Sequence, residues 1–157
     1  MHVRYVYCMD TCVKVYCEHH AVRQCLRDLQ KKGRITLVLF PYDRRTRRIK
    51  EVATPSGATW EELNITWDEA DFSWDECSPS PRYDDICNII GEENIRDVKH
   101  VDSAFKSKCQ SMLTCDNDIL SHSQELEELL NIKFFHPDNH REEFMAHLKR
   151  YERKENT

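Results

Sequence analysis

Apolar residues recur along this chain in two rhythms, short continuous runs and a three-to-four spacing, and the two alternate. Residues 4–9 (RYVYCM), aromatic and β-branched, predict a buried strand that ends at Asp10. From residue 19 to 32, Val22, Cys25, Leu26 and Leu29 fall at helical spacing, and Gly33 is placed to close that helix. Residues 35–40 (ITLVLF) form a nearly unbroken apolar run, the pattern of a strand covered on both faces, and Pro41 ends it. Residues 43–52 (DRRTRRIKEV) predict a strongly basic helix. Order resumes at 84–90 and at 94–108, where Ile95, Val98, Val101, Ala104 and Phe105 share one face. A short strand is expected at 111–114 (SMLT), and a helix at 121–130 with Ser121 and Gln124 as its capping box. Another strand follows at 132–135 (IKFF). A last helix, capped by Asn139 with Glu142 three residues on, carries Phe144, Leu148 and Tyr151 as its buried stripe.

Residues 53–82 interrupt this alternation. They collect Pro55, Pro79 and Pro81 with Ser56, Gly57, Ser78 and Ser80, and they hold Trp60, Trp67 and Trp74 at a spacing of seven. The residues around each tryptophan do not match, so an insertion pinned by its aromatics is expected at about 53–93 rather than a repeat. Strands alternating with helices predict one α/β domain over residues 1–157, built on a mostly parallel central sheet flanked by helices.

Composition narrows the class. A chain of 157 residues, 39% hydrophobic and 32% charged, has enough apolar surface for one core. No apolar run reaches the roughly 18 residues that cross a bilayer, and no export signal is visible, so a cytoplasmic protein with no membrane partner is expected. The eight cysteines then read as free thiols rather than a disulfide framework. Cys12, Cys17, His19 and His20 lie close together, but their spacing fits no familiar zinc module. The net charge of −5 conceals a gradient: +8 over residues 1–50, −10 over 51–100 and −3 beyond. Nucleic acid would be drawn to the first segment and repelled by the second.

The chemistry is expected where strands end, because open parallel sheets bind ligands beyond their carboxyl edge. Asp10 follows the first expected strand and Asp116 follows the 111–114 strand, so both would face one crevice if those strands are neighbours. Asp97 and Asp102 lie on the helix that feeds the second of them. Carboxylates crowded in this way repel unless a cation sits among them, and hard oxygen ligands favour Mg²⁺ or Mn²⁺. Taken one at a time, each aspartate also reads as a turn former or helix cap, and it is their joint placement that points to a site.

Two blocks of sequence resemble a known family. Cys8-Met9-Asp10-Thr11-Cys12-Val13 is similar to the opening strand of PIN domains, an apolar strand followed by Asp-Thr. Asp97-x-x-His100-x-x-x-Ala104, then Met112-Leu113-Thr114-Cys115-Asp116-Asn117-Asp118, resembles their acidic helix followed by a strand ending in Thr-x-Asp. Residues 126–137 are similar to the helix and strand that come next. The resemblance covers roughly residues 5–40 and 94–137. It implies a Mg²⁺- or Mn²⁺-dependent endoribonuclease in which Asp10, Asp97 and Asp116 hold the metal and an activated water attacks the phosphodiester. Asp102, Asp118 and Glu51 are secondary ligands in that picture, Glu51 and Asp43 being the acids nearest the place where the family carries one more. Thr11 and Thr114 would orient the carboxylates by hydrogen bonding, or serve simply as turn hydroxyls, and His100 would support the site by packing or hydrogen-bonding near Asp97, with general-base duty as its other role. Arg44, Arg45, Arg47, Arg48 and Lys50 are the expected RNA contacts, their forks suited to phosphate, although such a run also reads as a solvated face. The family further implies an RNA substrate, a protein antitoxin as partner and dimerisation. The competing expectation is a PIN-like module that binds RNA or protein without cutting.

Overall fold

A computed structural model of the chain describes residues 13–39, 51–52 and 78–155. Its strands are β1 (Val13–Cys17), β2 (Ile35–Leu39), β3 (Glu51–Val52), β4 (Ser111–Leu113) and β5 (Lys133–Phe135). Its helices are α1 (Gln24–Lys31), α2 (Tyr83–Ile90), α3 (Ile95–Lys106), α4 (Asn117–Leu120), α5 (Ser123–Leu130) and α6 (Arg141–Glu155). The strands form a single sheet in the order β3-β2-β1-β4-β5, and every neighbouring pair is parallel. The expected α/β class with a parallel sheet flanked by helices is therefore what the chain adopts.

Alternation along each strand divides the core into two layers. Val13, Val15 and Cys17 of β1 join Ile35, Leu37, Leu39, Leu113 and Phe135 on one face, packed on Leu26 and Leu29 of α1 and Phe144 and Leu148 of α6. Tyr16, Val38, Met112 and Phe134 occupy the opposite face under α2, α3 and α5, meeting Ile86, Ile90, Val98, Val101, Ala104, Leu126 and Leu130. Helices thus cover both faces, as a parallel sheet requires.

Several local expectations hold. Gly33, at φ +73°, closes α1: its own N–H donates to the Gln30 carbonyl and the Arg34 N–H reaches back to Leu29, both at 3.0 Å. Phe144 and Leu148 are buried on α6 with Tyr151 packed beside them. Others need correction. Residues 51–52, expected at the end of a basic helix, pair with β2 as an edge strand. The helix expected over 121–130 begins at Ser123 with no side-chain cap, because Asp116 has already started α4 by accepting from the Asp118 N–H. Ser121 falls at the end of α4, where its hydroxyl donates to the Asp118 carbonyl. Tyr83–Ile90 is a core helix, with Ile86 and Ile90 buried. The strand expected over 4–9, the basic run 43–50 and the three tryptophans lie outside the described residues.

Strand order places the ligand-binding edge. The chain leaves β1 for β2 on one side and returns to β4 on the other, so the order reverses between β1 and β4. At such a reversal the connections diverge and open a crevice beyond the carboxyl ends of the strands. α3 returns the chain to the amino edge where β4 begins, which leaves its first turn, with Asp97, at the carboxyl edge.

Candidate metal centre

β1 and β4 are neighbours in register, Cys17 opposite Leu113, and the next residues are Glu18 and Thr114. The Glu18 N–H continues the ladder by donating to the Leu113 carbonyl at 3.2 Å, and the Thr114 N–H donates to Phe135 at 3.0 Å. Both side chains therefore leave the sheet at the reversal point. Thr114 is fully buried, and its hydroxyl accepts from the Asp116 N–H at 3.0 Å. Asp116 in turn caps α4, its Oδ1 accepting from the Asp118 N–H at 2.9 Å. This chain of bonds fixes the backbone from Thr114 to Asp118, so Asp116 and Asp118 are presented by local geometry rather than by burial.

From the facing α3, Asp97 completes a group. Carboxylate oxygens of Asp97, Asp116 and Asp118 all lie within 4.8 Å of one another. Asp97 and Asp116 are half-buried and Asp118 is exposed. Burial pushes the Asp97 carboxyl up to about 7, helped by its hydrogen bond to Asp116 and by the charges of Asp116 and Asp118, against a smaller opposing effect of Arg96. Glu18 stands beside the trio and behaves alike. Burial raises it to about 7 despite the hydrogen bond from Thr114, and the charges of Asp116 and Asp97 add to the rise. Its Oε1 is buried and has no hydrogen-bond partner among the described residues.

The remaining expected residues divide clearly. Of the expected trio, Asp97 and Asp116 come together, joined by Asp118, a secondary candidate, with Thr114 bonded to the Asp116 backbone, while Asp10 is outside the described residues. Asp102 does not join them. It is fully buried on another side of α3, where its carboxylate accepts the Ser80 N–H at 3.0 Å and the Ser80 hydroxyl. His100 packs one turn below Asp97, as the plainer expectation had it. It is buried with Nδ1 2.8 Å from the Tyr16 hydroxyl, and burial holds its imidazole down at about 3. A ring that stays neutral and bonded within the core is a packing element. Asp10, Thr11, Asp43, Arg44, Arg45, Arg47, Arg48 and Lys50 lie outside the described residues, and of Glu51 only the backbone, in β3, is described.

Glu18 is the residue that sequence reasoning missed. The signal was present: VKVYC is β-branched, alternates, and ends directly on an acid. A strand ending at Cys17 leaves only residues 18–23 to reach α1, a usual length for a strand-to-helix connection, whereas one ending at residue 9 leaves 10–23.

The donor set fits a small hard cation. All four side chains offer carboxylate oxygen, and the trio spans a distance that one ion can bridge. No known family, characterised protein or solved structure matches this chain.

Proposed function

We propose that the crevice between β1 and β4 binds a divalent cation, Mg²⁺ or Mn²⁺, and that the protein hydrolyses RNA phosphodiester bonds there. The observation that carries this reading is the convergence of Asp97, Asp116 and Asp118, with Glu18 beside them, at the point where strand order reverses. The resemblance of residues 94–137 to PIN domains supports the choice of RNA as substrate.

Asp97, Asp116 and Asp118 would hold the ion, and bound there it would supply Lewis acidity and an activated water. Thr114 orients two acids at once, Asp116 through its backbone and Glu18 through its side chain. Glu18, beside the trio with a buried Oε1 that has no hydrogen-bond partner among the described residues, is placed to take a proton from the attacking water and release it to the leaving oxygen. The five described cysteines are free thiols, which supports a reducing, cytoplasmic setting.

The test begins with thermal melting of the full chain in EDTA, Mg²⁺ and Mn²⁺. An ion that binds only the folded state must raise the melting temperature. The rise is expected in wild type and absent in Asp97→Asn and Asp116→Asn, both of which should stay folded. The same two variants should cut RNA at least about 100-fold more slowly. A rise without cleavage would favour the reading as a binding module. No rise at millimolar metal would overturn the metal centre.

A further inference from the structure

Three loops leave the carboxyl edge near the acidic crevice: residues 18–23 after β1, 114–116 after β4 and 136–140 after β5. One side chain touches all three. The guanidinium of Arg23 forks onto the Asp138 carboxylate, Nε to Oδ1 at 3.0 Å and Nη2 to Oδ2 at 2.9 Å. Its Nη1 donates to the His20 carbonyl at 2.7 Å and to the Val22 carbonyl at 3.1 Å. Nη2 also lies 4.0 Å from Cys115 Sγ, and that thiol donates to the same His20 carbonyl at 3.7 Å. The β5 loop is organised around this anchor, because His136 Nδ1 accepts from the N–H groups of Asp138 and Asn139, each at 3.1 Å.

An ion pair as exposed as this one, 35% and 56% accessible, contributes little by itself. What sets it apart is the use of the whole guanidinium fork across loops about a hundred residues apart in sequence. Two of those loops carry Glu18 and Asp116 two residues from His20 and one residue from Cys115.

We infer that Arg23 is a positioning residue that clamps the three loops into one unit and thereby sets the placement of Glu18 and Asp116. The clamp is a property of the fold, and its consequence for metal rests on the metal-centre reading above. Lysine cannot replace it, since a single ammonium has no fork to spread over three loops.

Hydrogen exchange on the full chain tests the clamp without metal. In Arg23→Ala, amides of 18–22, 114–118 and 136–140 should exchange together about fivefold faster, with α5 unchanged. Asp138→Asn should loosen only 136–140, and Arg23→Lys should behave like Arg23→Ala. If Arg23→Ala fails to fold, Arg23→Lys carries the same comparison. Unchanged exchange at 18–22 and 114–118 would overturn the inference and leave a surface ion pair. A Mn²⁺ titration forms the second arm, with about tenfold weaker binding expected in the folded Arg23 variants. Equal affinity in wild type and variant would overturn the effect on carboxylate placement. Absence of Mn²⁺ binding in wild type would overturn the metal centre instead, while the exchange arm still decides the clamp.

Discussion

The two faces of the sheet are built from the same strands and differ in what they bury. Under α1 and α6 the core is mainly apolar, from Val13, Val15 and Leu37 to Phe144 and Leu148, and its buried polar side chains, Ser111 and His147, make no side-chain hydrogen bond to another element among the described residues. Under α3 the apolar residues share space with buried polar groups: Tyr16 bonded to His100, Asp102 bonded to Ser80, and Ser103 bonded to the Lys99 carbonyl at 2.7 Å. The first face rests on apolar contact rather than on directional bonds. The second holds α3 in one rotational setting, because the His100–Tyr16 and Asp102–Ser80 bonds reach other elements in that setting alone, whereas the Ser103 bond stays within the helix, and a buried group left without its bond costs about 1–3 kcal/mol. Asp97 is delivered to the crevice by that setting.

The contrast is broken most severely from the apolar side. Leu37 is 1% exposed in the middle of β2, and Leu37→Ala removes its contacts with α1 and the neighbouring strands. A loss of about 3 kcal/mol is expected, a fall in melting temperature of roughly 10 °C. The rise produced by Mn²⁺ should survive in full, since no acid moves. A rise that disappeared with Leu37→Ala would show that the faces are not separable.

From the polar side the expected effects reverse. Tyr16→Phe keeps the ring and removes the hydroxyl bonded to His100, at a cost of about 1–2 kcal/mol. Although this is milder than Leu37→Ala, it loosens the turn of α3 next to Asp97. Mn²⁺ binding should weaken by several fold, measured by titration at a temperature where both proteins are folded. Undiminished binding would mean that the Tyr16–His100 pair supports the fold and not the site.

The same division governs what the sequence makes legible. The run at 35–39, the face of Val98, Val101 and Ala104 with Phe105 beside it, and the stop at Gly33 follow from local pattern and are found, whereas Ile95, expected on that same face, is exposed at the start of the helix. β4 and the acids around it were legible because Thr114, Asp116 and Asp118 organise one another through bonds two residues long. Glu18 was not, because its role depends on which strand lies at the centre of the sheet. Lys14 makes β1 look less like a central strand than residues 4–9, and only pairing with both β2 and β4 decides the matter. The same applies to Asp102. It sits five residues after Asp97, and the helical spacing could not say that Ser80, brought in from another segment, would claim it. Local chemistry announces itself in sequence, whereas placement by distant pairing does not.

The smallest expected effect is also the most specific. Without metal, Glu18 and Asp97 hold protons up to about pH 7, while in the unfolded chain they release them near their ordinary values of 4.5 and 3.8. Between those limits the folded state binds more protons, so their contribution to stability falls as pH rises and is fully lost above pH 7. Both are partly open to solvent and respond to the same charges, so the combined effect is on the order of 1–2 kcal/mol. His100 and His147 act in the opposite sense. Burial depresses them to about 3 and about 4, so they remove stability as pH falls below about 6.5. Metal-free melting against pH therefore mixes two opposing slopes, one from each kind of buried group. The rise produced by Mn²⁺ at each pH does not, because the histidines are equally neutral or charged with and without the ion. A cation must displace the protons on Glu18 and Asp97, so that rise should be slight at pH 5 and grow to its full size by pH 8. Asp97→Asn should flatten it throughout. A rise independent of pH across that window would place the bound ion away from these two acids.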